Sequence, residues 1–585
     1  MKYYSLLIIV TLLLSSCSEE FLDPKLSTKM TYEQMLTQPD RIEGLVTYAY
    51  TSSFPQTLDN MGGGFLDCGT DNAVINQETS SIYKISATPG YLTPNTTFLG
   101  TWNSYFENLR TIDEFFEIVT ENDIVFKKSN ENDNTVFTNN LYGEAYFVKA
   151  WNMAELLRRF GGVDVNGELK GVPIPEGEVN VDNVEELPRE SYDKCLEYTL
   201  EAIDNALQYL PERWIAGGEY KYTNTSENFG RPTQAAALAL KSRVLLYAAS
   251  PAFTVGLSDD VKRQRWLDAA KAAKDAIDFV GELDDIYNSD LGEYYNNALN
   301  PELILTRMEG TATNRTREQT HFIPSLFGNG RCNPTQNLVD AFPMSDGYPA
   351  GMSPTYAYDD NFSMYQNRDP RFYATVLYNG ATVTYGTSKN STVETAVGGK
   401  DTPDGPLGLV TNTTRTGYYL RKWMSTQVDL TSGQQENDYH YAVYFRKAEM
   451  YLNFAEAMNE VVALGGQTDV EGATAVSEIA KVRDRALNLT DDSYLNSIAG
   501  DPAALRTLIR NERRIELCFE GHRFYDVRRW KETLNPTIYK IEINGSVYSR
   551  NAMYNLAYDP NKFYLPIHQN EMNRTTLITQ NEGWE

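Results

Sequence analysis

Apolar residues return at three- and four-residue intervals through most of the chain, the spacing that places them on one face of an α-helix. The pattern predicts helices from Pro39-Asp40 to about Tyr50, from Thr101 to about Val119, and from Leu141 to Phe160, where Gly161-Gly162 supplies a stop. It predicts more at Ser191–Leu210, closed by Pro211, at the Ala- and Leu-rich Thr233–Ala249, and at Gln264–Val280 before Gly281. Between about Asn300 and Lys422 the period is lost. Gly, Pro, Asn and Thr dominate there, with short alternating pieces such as Ala374–Tyr378, the composition of loops and small strands. Helices resume at Tyr441–Val462, Thr474–Ala486 and Pro502–Glu520, and Lys562–Ile567 reads as extended. Paired helices with short connections form a helical-repeat scaffold, although no strict repeat consensus is readable. The expected fold is mainly α, a single unit with a long irregular insertion.

The stretch Arg510–Trp530 carries the densest charge of any segment that still reads as a core-facing helix. Leu505, Leu508, Ile509, Ile515 and Phe519 define its apolar stripe; Glu512 and Glu516 fall inside that stripe, while Arg513 and Arg514 are expected to point away. A carboxylate on a buried face must be paired or neutralised. Acid/base chemistry and an ion-paired seam both satisfy that need, but the surrounding arginines would depress both carboxyl pKa values rather than raise one for acid work. The seam is therefore the expected role, with Arg446, Arg483, Arg523 and Arg528 as partners.

Composition narrows the function classes. A net charge of −27 over 585 residues argues against a nucleic-acid or anionic-membrane surface, which needs a basic face. The 39 tyrosines suit core edges and surfaces for polar ligands. Lys2, the apolar run Leu6–Leu14 and Ser15-Ser16 before Cys17 read as a signal segment, residues 1–16, too short to span a bilayer. Leu14-Ser15-Ser16-Cys17 resembles a bacterial lipobox, which makes Cys17 the expected lipidated residue; residues 17–30 then form a tether, and a triacylated Cys suffices for stable anchoring. Ser18-Glu19-Glu20 resembles the surface-export signal of Bacteroidetes lipoproteins. Cys68, Cys195, Cys332 and Cys518 are far apart and lack C-x-x-C spacing, so neither a zinc site nor a disulfide framework is signalled. Cys518, between Leu517 and Phe519, reads as a small buried hydrophobe.

No catalytic constellation is readable. The 79 acidic residues make carboxylate pairs trivial to find, and no spacing singles one out. The four histidines, His321, His440, His522 and His568, form no H-E-x-x-H, and no nucleophile elbow, phosphate loop or dinucleotide fingerprint appears. His522 reads as a capping or packing residue, and Trp102 and Trp423 as structural. No cofactor is implied. Tyr358-Asp-Asp-Asn361 offers oxygen donors for a structural calcium ion, without an EF-hand pattern.

Several segments taken together resemble the SusD/RagB family of Bacteroidetes outer-membrane nutrient-binding lipoproteins. They are Cys17 with Phe21-Leu22-Asp23; Tyr146–Asn152 through Leu157–Gly162 and Val172–Pro175; Ala235–Leu240 through Tyr247; Pro334–Asp340 with Asp346-Gly347; Asn367–Phe372; Arg446–Ala457; Arg510–Trp530; and Tyr564–Ile567 with Leu577–Asn581. The match runs nearly the whole chain. It implies one domain over 31–585, with four tetratricopeptide-like helix pairs as scaffold (about 31–299 and 441–585) and an irregular ligand-facing insertion (about 300–440). It also implies a partner, a SusC-like TonB-dependent transporter, and a captured oligosaccharide, or a peptide in the RagB branch. A lipid-anchored glycoside hydrolase is the competing class.

Sugar binding needs aromatic faces for C–H stacking and planar polar groups for hydroxyls, carried on loops of a rigid scaffold. Two runs have that composition. Phe65–Thr97 contributes Asp67, Asp71, Asn72, Asn76, Tyr83 and Tyr91; Thr320–Asn333 contributes His321, Phe322, Phe327, Asn329 and Arg331. The resemblance implies that ligand contacts come from these two regions, without a residue motif that transfers. Asp67, Asp71, Asn72, Tyr83, Tyr91, Phe327, Asn329 and Arg331 are the candidate ligand-binding residues.

Overall fold

The computed structural model describes residues 35–58, 61–96, 99, 102–128, 130–175, 187–214, 228–284, 300–310, 312–407 and 410–585. The signal segment, Cys17 and the tether lie outside the described residues.

Its helices are α1 (Pro39–Ser53), α2 (Ser81–Ala87), α3 (Trp102–Glu121), α4 (Glu131–Phe160), α5 (Tyr192–Tyr209), α6 (Gln234–Ala249), α7 (Asp259–Val280), α8 (Thr316–His321), α9 (Gln336–Ala341), α10 (Pro370–Thr375), α11 (Lys447–Ala463), α12 (Ala475–Leu487), α13 (Ser493–Ile498), α14 (Pro502–Glu516), α15 (Arg523–Arg529) and α16 (Gln569–Arg574). The long helices pack in series: α1 on α3, α3 on α4, α4 on α5, α5 on α6, α6 on α7, α7 on α11 and α11 on α12. Four pairs, α1/α3, α4/α5, α6/α7 and α11/α12, thus form the continuous tetratricopeptide-like stack that the resemblance implies. A core of Ile112, Phe147, Trp151, Leu240, Trp266, Phe454 and their neighbours fills the space between them.

Local chemistry sets the helix limits. Helix α4 starts upstream of the expected Leu141 because Asn130 caps it, its side chain accepting from Asp133 N at 2.7 Å. Thr474 and Ser477 form a capping box at the start of α12. Tyr441–Arg446, expected as helix, is instead strand β10, paired antiparallel with β4 (Leu303–Met308). Its run of aromatic and β-branched residues fits a pleated surface, and α11 begins only at Lys447. Helix α14 ends at Glu516 rather than Glu520, since Phe519 and Gly521 take the left-handed conformation and turn the chain into α15.

The sheets are two-stranded. β1 (Ala73–Ile75) pairs with β5 (Cys332–Pro334), β2 (Gly162–Val163) with β3 (Leu169–Lys170), β6 (Val376–Leu377) with β9 (Tyr419–Leu420), and β7 (Thr382–Tyr385) with β8 (Lys389–Thr392). Of the expected strand Ala374–Tyr378, only Val376-Leu377 is strand; the start belongs to α10. A hairpin of β11 (Thr537–Asn544) and β12 (Val547–Asn555) was not expected, although its Asn544-Gly545 turn is a hairpin signal. A second core, including Phe65, Val74, Leu338, Phe372, Trp423, Phe519 and Ile541, joins the insertion and hairpin to the scaffold.

Candidate ligand-binding site

Helix α14 is buried on more than one face, and this decides what its charges do. Glu516 accepts from Arg446 Nη1 at 2.7 Å, Arg485 Nη2 at 2.6 Å and Arg371 Nη1 at 3.0 Å. Glu512 accepts from Arg371 Nη2 at 2.8 Å and from Arg483. Burial alone would push the Glu516 carboxyl up, but Arg485, Arg446 and Arg371 outweigh it and hold the group well below the usual range. An always-ionised, fully paired carboxylate is a strut, not a general acid.

Arg446 and Arg483 are thus partners, as expected, whereas Arg371 and Arg485 were not foreseen. Arg523 is not a partner of this pair; it binds Asp71 at 3.0 Å. Nor is Arg528, whose guanidinium lies 3.6 Å from the centre of the Phe524 ring and donates to the Phe524 carbonyl at 2.8 Å. Arg513, expected to face outward, is fully buried and pairs with Asp526 at 3.0 Å, while Arg514 reaches Asp71 at 3.0 Å. The expectation gave α14 a single core-facing stripe, but its C-terminal turns are buried on further sides, while Ala503 and Thr507 in its first turns stay exposed.

Three candidate ligand residues lie inside the same region. Asp67 is 1% exposed, accepts from Asn72 Nδ2 at 2.8 Å and Phe519 N at 2.9 Å, and has its pKa raised by burial. Asp71 is buried, yet Arg514 and Arg523 keep its carboxyl well below the usual range. Asn72 is fully buried and accepts from Arg514 Nε at 2.8 Å. These residues tie the 3-10 turn Leu66–Gly69 and β1 onto α14, so they present no face to a ligand. A Gly-, Thr- and Asn-rich run looked like an exposed loop because its composition does not reveal that its polar groups are used internally.

The two runs do come together along β1 and β5, although His321, Phe322 and Asn76 are buried there. The β1–β5 ladder pairs Ile75 with Cys332 and continues into Asn76 N donating to Arg331 O at 3.0 Å. Asn76 Nδ2 donates to Asn329 O at 2.9 Å and Thr413 O at 3.3 Å, and Arg331 Nη1 donates to Asn76 Oδ1 at 3.2 Å. Arg415, which sequence reading missed, pairs with Glu78 and lies 5.0 Å from the centre of the Tyr83 ring; Tyr83 in turn meets Tyr554 edge-on at 6.5 Å. Its Asn- and Thr-rich surroundings, Thr411–Thr416 before Tyr418-Tyr419, were the available signal. Tyr91 lies instead against Lys84, 5.8 Å from its ring, and the Thr93–Thr96 turn. The same ladder brings the Cys68 and Cys332 thiols to 3.3 Å, a juxtaposition that spacing could not show.

Phe327 crowns this surface. It is 64% exposed and adopts φ +67°, a conformation that a bulky side chain seldom takes. Its loop is held from below. Phe327 N donates to Pro324 O, Gly328 N to Ile323 O, Asn329 N to Gln319 O and Gly330 N to Phe322 O. Gly330, at φ +52°, lies where a Cβ would be 2.6 Å from the Tyr419 ring, so the loop also sits directly on the β6–β9 layer. Among the described residues no carboxylate lies within ion-pair distance of the half-buried Arg331, whose pKa burial lowers. Also among the described residues, no group of three or more His, Cys, Asp or Glu side chains is placed to hold a metal ion, and no helix is long and apolar enough to cross a membrane. Asn361 of the calcium candidate caps its own 3-10 turn and Asp360 pairs with Arg550 at 3.2 Å.

Known proteins bear on this fold. Residues 301–584 match the model of the SusD family, and residues 20–246 match one described as starch-binding associating with outer membrane. A SusD-like protein from Bacteroides fragilis superposes with a TM-score of 0.72 at 24% identity, covering 94% of this chain and 98% of its own. A SusD-like carbohydrate binding protein from the same species gives 0.66 at 22% identity, with 93% and 99% covered. SusD-like protein P25 of Formosa agariphila is 34% identical over 113 residues, only 19% of either chain. Matched by SusD-type models over both halves and by SusD-like folds over nearly its full length, the chain belongs to the SusD/RagB family.

Proposed function

We propose that this is a cell-surface, lipid-anchored protein that captures oligosaccharides and delivers them to a SusC-like TonB-dependent transporter. The observation that carries the reading is Phe327, an outward aromatic on a loop closed by its own backbone hydrogen bonds, which also carries Asn329 and Arg331. An exposed ring offers a face for sugar C–H groups, and guanidinium and amide groups offer planar donors and acceptors for hydroxyls. Neither needs a reactive group, and the buried carboxylates of α14 are committed to arginines. The outer-membrane association and starch-binding description of the matched family, and the carbohydrate binding named for a B. fragilis structural relative, support the same reading. Cys17 supplies the anchor, and the protein is read as non-catalytic.

The test is a titration of the soluble form lacking residues 1–17 against a panel of polysaccharides and peptides, with analysis of products. Saturable glycan binding that Phe327→Ala weakens, with no new reducing ends, is expected. Release of reducing ends would overturn the non-catalytic reading, and binding confined to peptides would move the protein to the RagB-like branch.

A further inference from the structure

Away from the Phe327 surface, six guanidiniums gather where α4, α6, α14 and α15 meet, four of them buried and those of Arg158 and Arg159 partly exposed. Arg158 and Arg159 share Glu155. Arg243 pairs with Glu449, Arg513 with Asp526 and Glu449, and Arg529 with Asp526 and Glu456. The sixth, Arg528, is 6% exposed and, among the described residues, has no carboxylate within ion-pair distance. Six positive groups therefore share four carboxylates. His522, in the same cluster, is held neutral by burial and by the field of Arg513, Arg243 and Arg158. Salt bridges in this region leave a surplus of positive charge, which a buried setting makes expensive.

A small cavity opens among these groups. It has a volume of about 20 Å³, and its lining includes Arg158, Arg528, Tyr247 and Tyr525. That is room for one water-sized or monatomic guest. Each of those four side chains carries a buried polar atom with no hydrogen-bond partner among the described residues: Arg158 Nε, Arg528 Nε, the Tyr247 hydroxyl and the Tyr525 hydroxyl. The two Nε groups are donors only, and both hydroxyls can donate. A water could accept from the two Nε groups and donate to the two hydroxyl oxygens, but it would leave the charge surplus untouched. A monovalent anion takes up to four donors and neutralises one guanidinium.

We infer that this cavity is a buried halide site, chloride in the native setting, closed by Arg158, Arg528, Tyr247 and Tyr525. The anion joins α4, α6 and α15 beneath the extended Phe563–Leu565 segment, which also lines the cavity, so it is a structural ligand of the scaffold.

Crystals grown or soaked in sodium bromide, measured at the bromine absorption edge, should show an anomalous peak in contact with the four named side chains. In solution, the melting temperature should be higher in sodium chloride than in sodium gluconate at the same ionic strength, because general screening is then equal and only specific binding remains. The difference should vanish in Arg528→Met, and in Tyr247→Phe/Tyr525→Phe should the first variant fail to fold. A water in place of the bromide peak, or equal melting temperatures in the two salts, would overturn the assignment.

Discussion

Glu456 gives the sharpest test of what the buried charges contribute. It lies on α11 and accepts from both terminal nitrogens of Arg529, at 2.5 and 2.7 Å, and from the Trp530 indole at 2.6 Å. Burial works against its ionisation, but Arg529, with help from Arg513 and the indole, holds the carboxyl down to about 2. Against an unfolded value of about 4.3, that depression is worth roughly 3 kcal/mol at neutral pH. An independent route gives a similar size: removing one member of a buried pair costs about 3–5 kcal/mol. Arg529 keeps Asp526 at 2.8 Å, which favours the lower end. Glu456→Gln, which preserves shape, should therefore lose about 3 kcal/mol at pH 7. Because the folded pKa is the depressed one, this contribution is complete above the unfolded value and is lost as pH falls toward 2. Urea titrations of wild type and variant, followed by tryptophan fluorescence, should show a gap in midpoint at pH 7 that closes progressively below about pH 4.3. A gap under about 0.5 kcal/mol at pH 7, the size of a surface substitution, would refute the reasoning. So would a gap that persists unchanged to pH 2.

Glu512→Ala should lower stability by about 3 kcal/mol, since it removes one of the two carboxylate partners of Arg483 and one of the three of Arg371; glycan affinity of the folded fraction should be unchanged, and a well-folded variant that cannot bind would return α14 to the functional surface. Gly330→Ala places a Cβ against Tyr419 and Asn412 at a left-handed position, so isothermal titration should show weakened ligand binding alongside a modest fall in melting temperature. Replacing Tyr83, Tyr91 and Phe327 together by Ala should weaken binding, with most of the loss reproduced by Phe327→Ala and the least by Tyr91→Ala. Cys17→Ala should shift the protein from the membrane fraction to the soluble fraction on cell fractionation; retention in the membrane would defeat the lipid-anchor reading.

The helix stack was legible because burial of one face leaves a periodic trace, and the ends followed from caps and glycines such as Gly161 and Gly281. What was not legible shares a physical cause: it depends on contacts between segments remote in sequence. Arg371 sits 141 residues from Glu512, and Asp71 sits 452 from Arg523. No local pattern announces such partners. Tyr441–Arg446 failed for a related reason. A short run of aromatic and aliphatic residues suits a strand or a buried helix, and only the presence of β4 decides between them.

The same distinction explains why polar composition singled out buried residues together with surface ones. Asp67, Asp71 and Asn72 look like a ligand-reading loop, yet α14 and the turn that follows it present Arg514 and the Phe519 amide to them, and satisfying those groups consumes the loop. The Phe327 ring has no such counterpart, and Arg331 commits only Nη1, to Asn76 Oδ1 and Thr411 O, because the loop that carries them is closed by its own backbone hydrogen bonds and by Tyr419 below. A polar loop residue is available for a ligand only when the scaffold satisfies the loop without using its side chain. By that criterion the recognisable charge-rich helix near the C-terminus holds the protein together, and the weakly patterned segment around Phe327 is the part we propose for ligand binding.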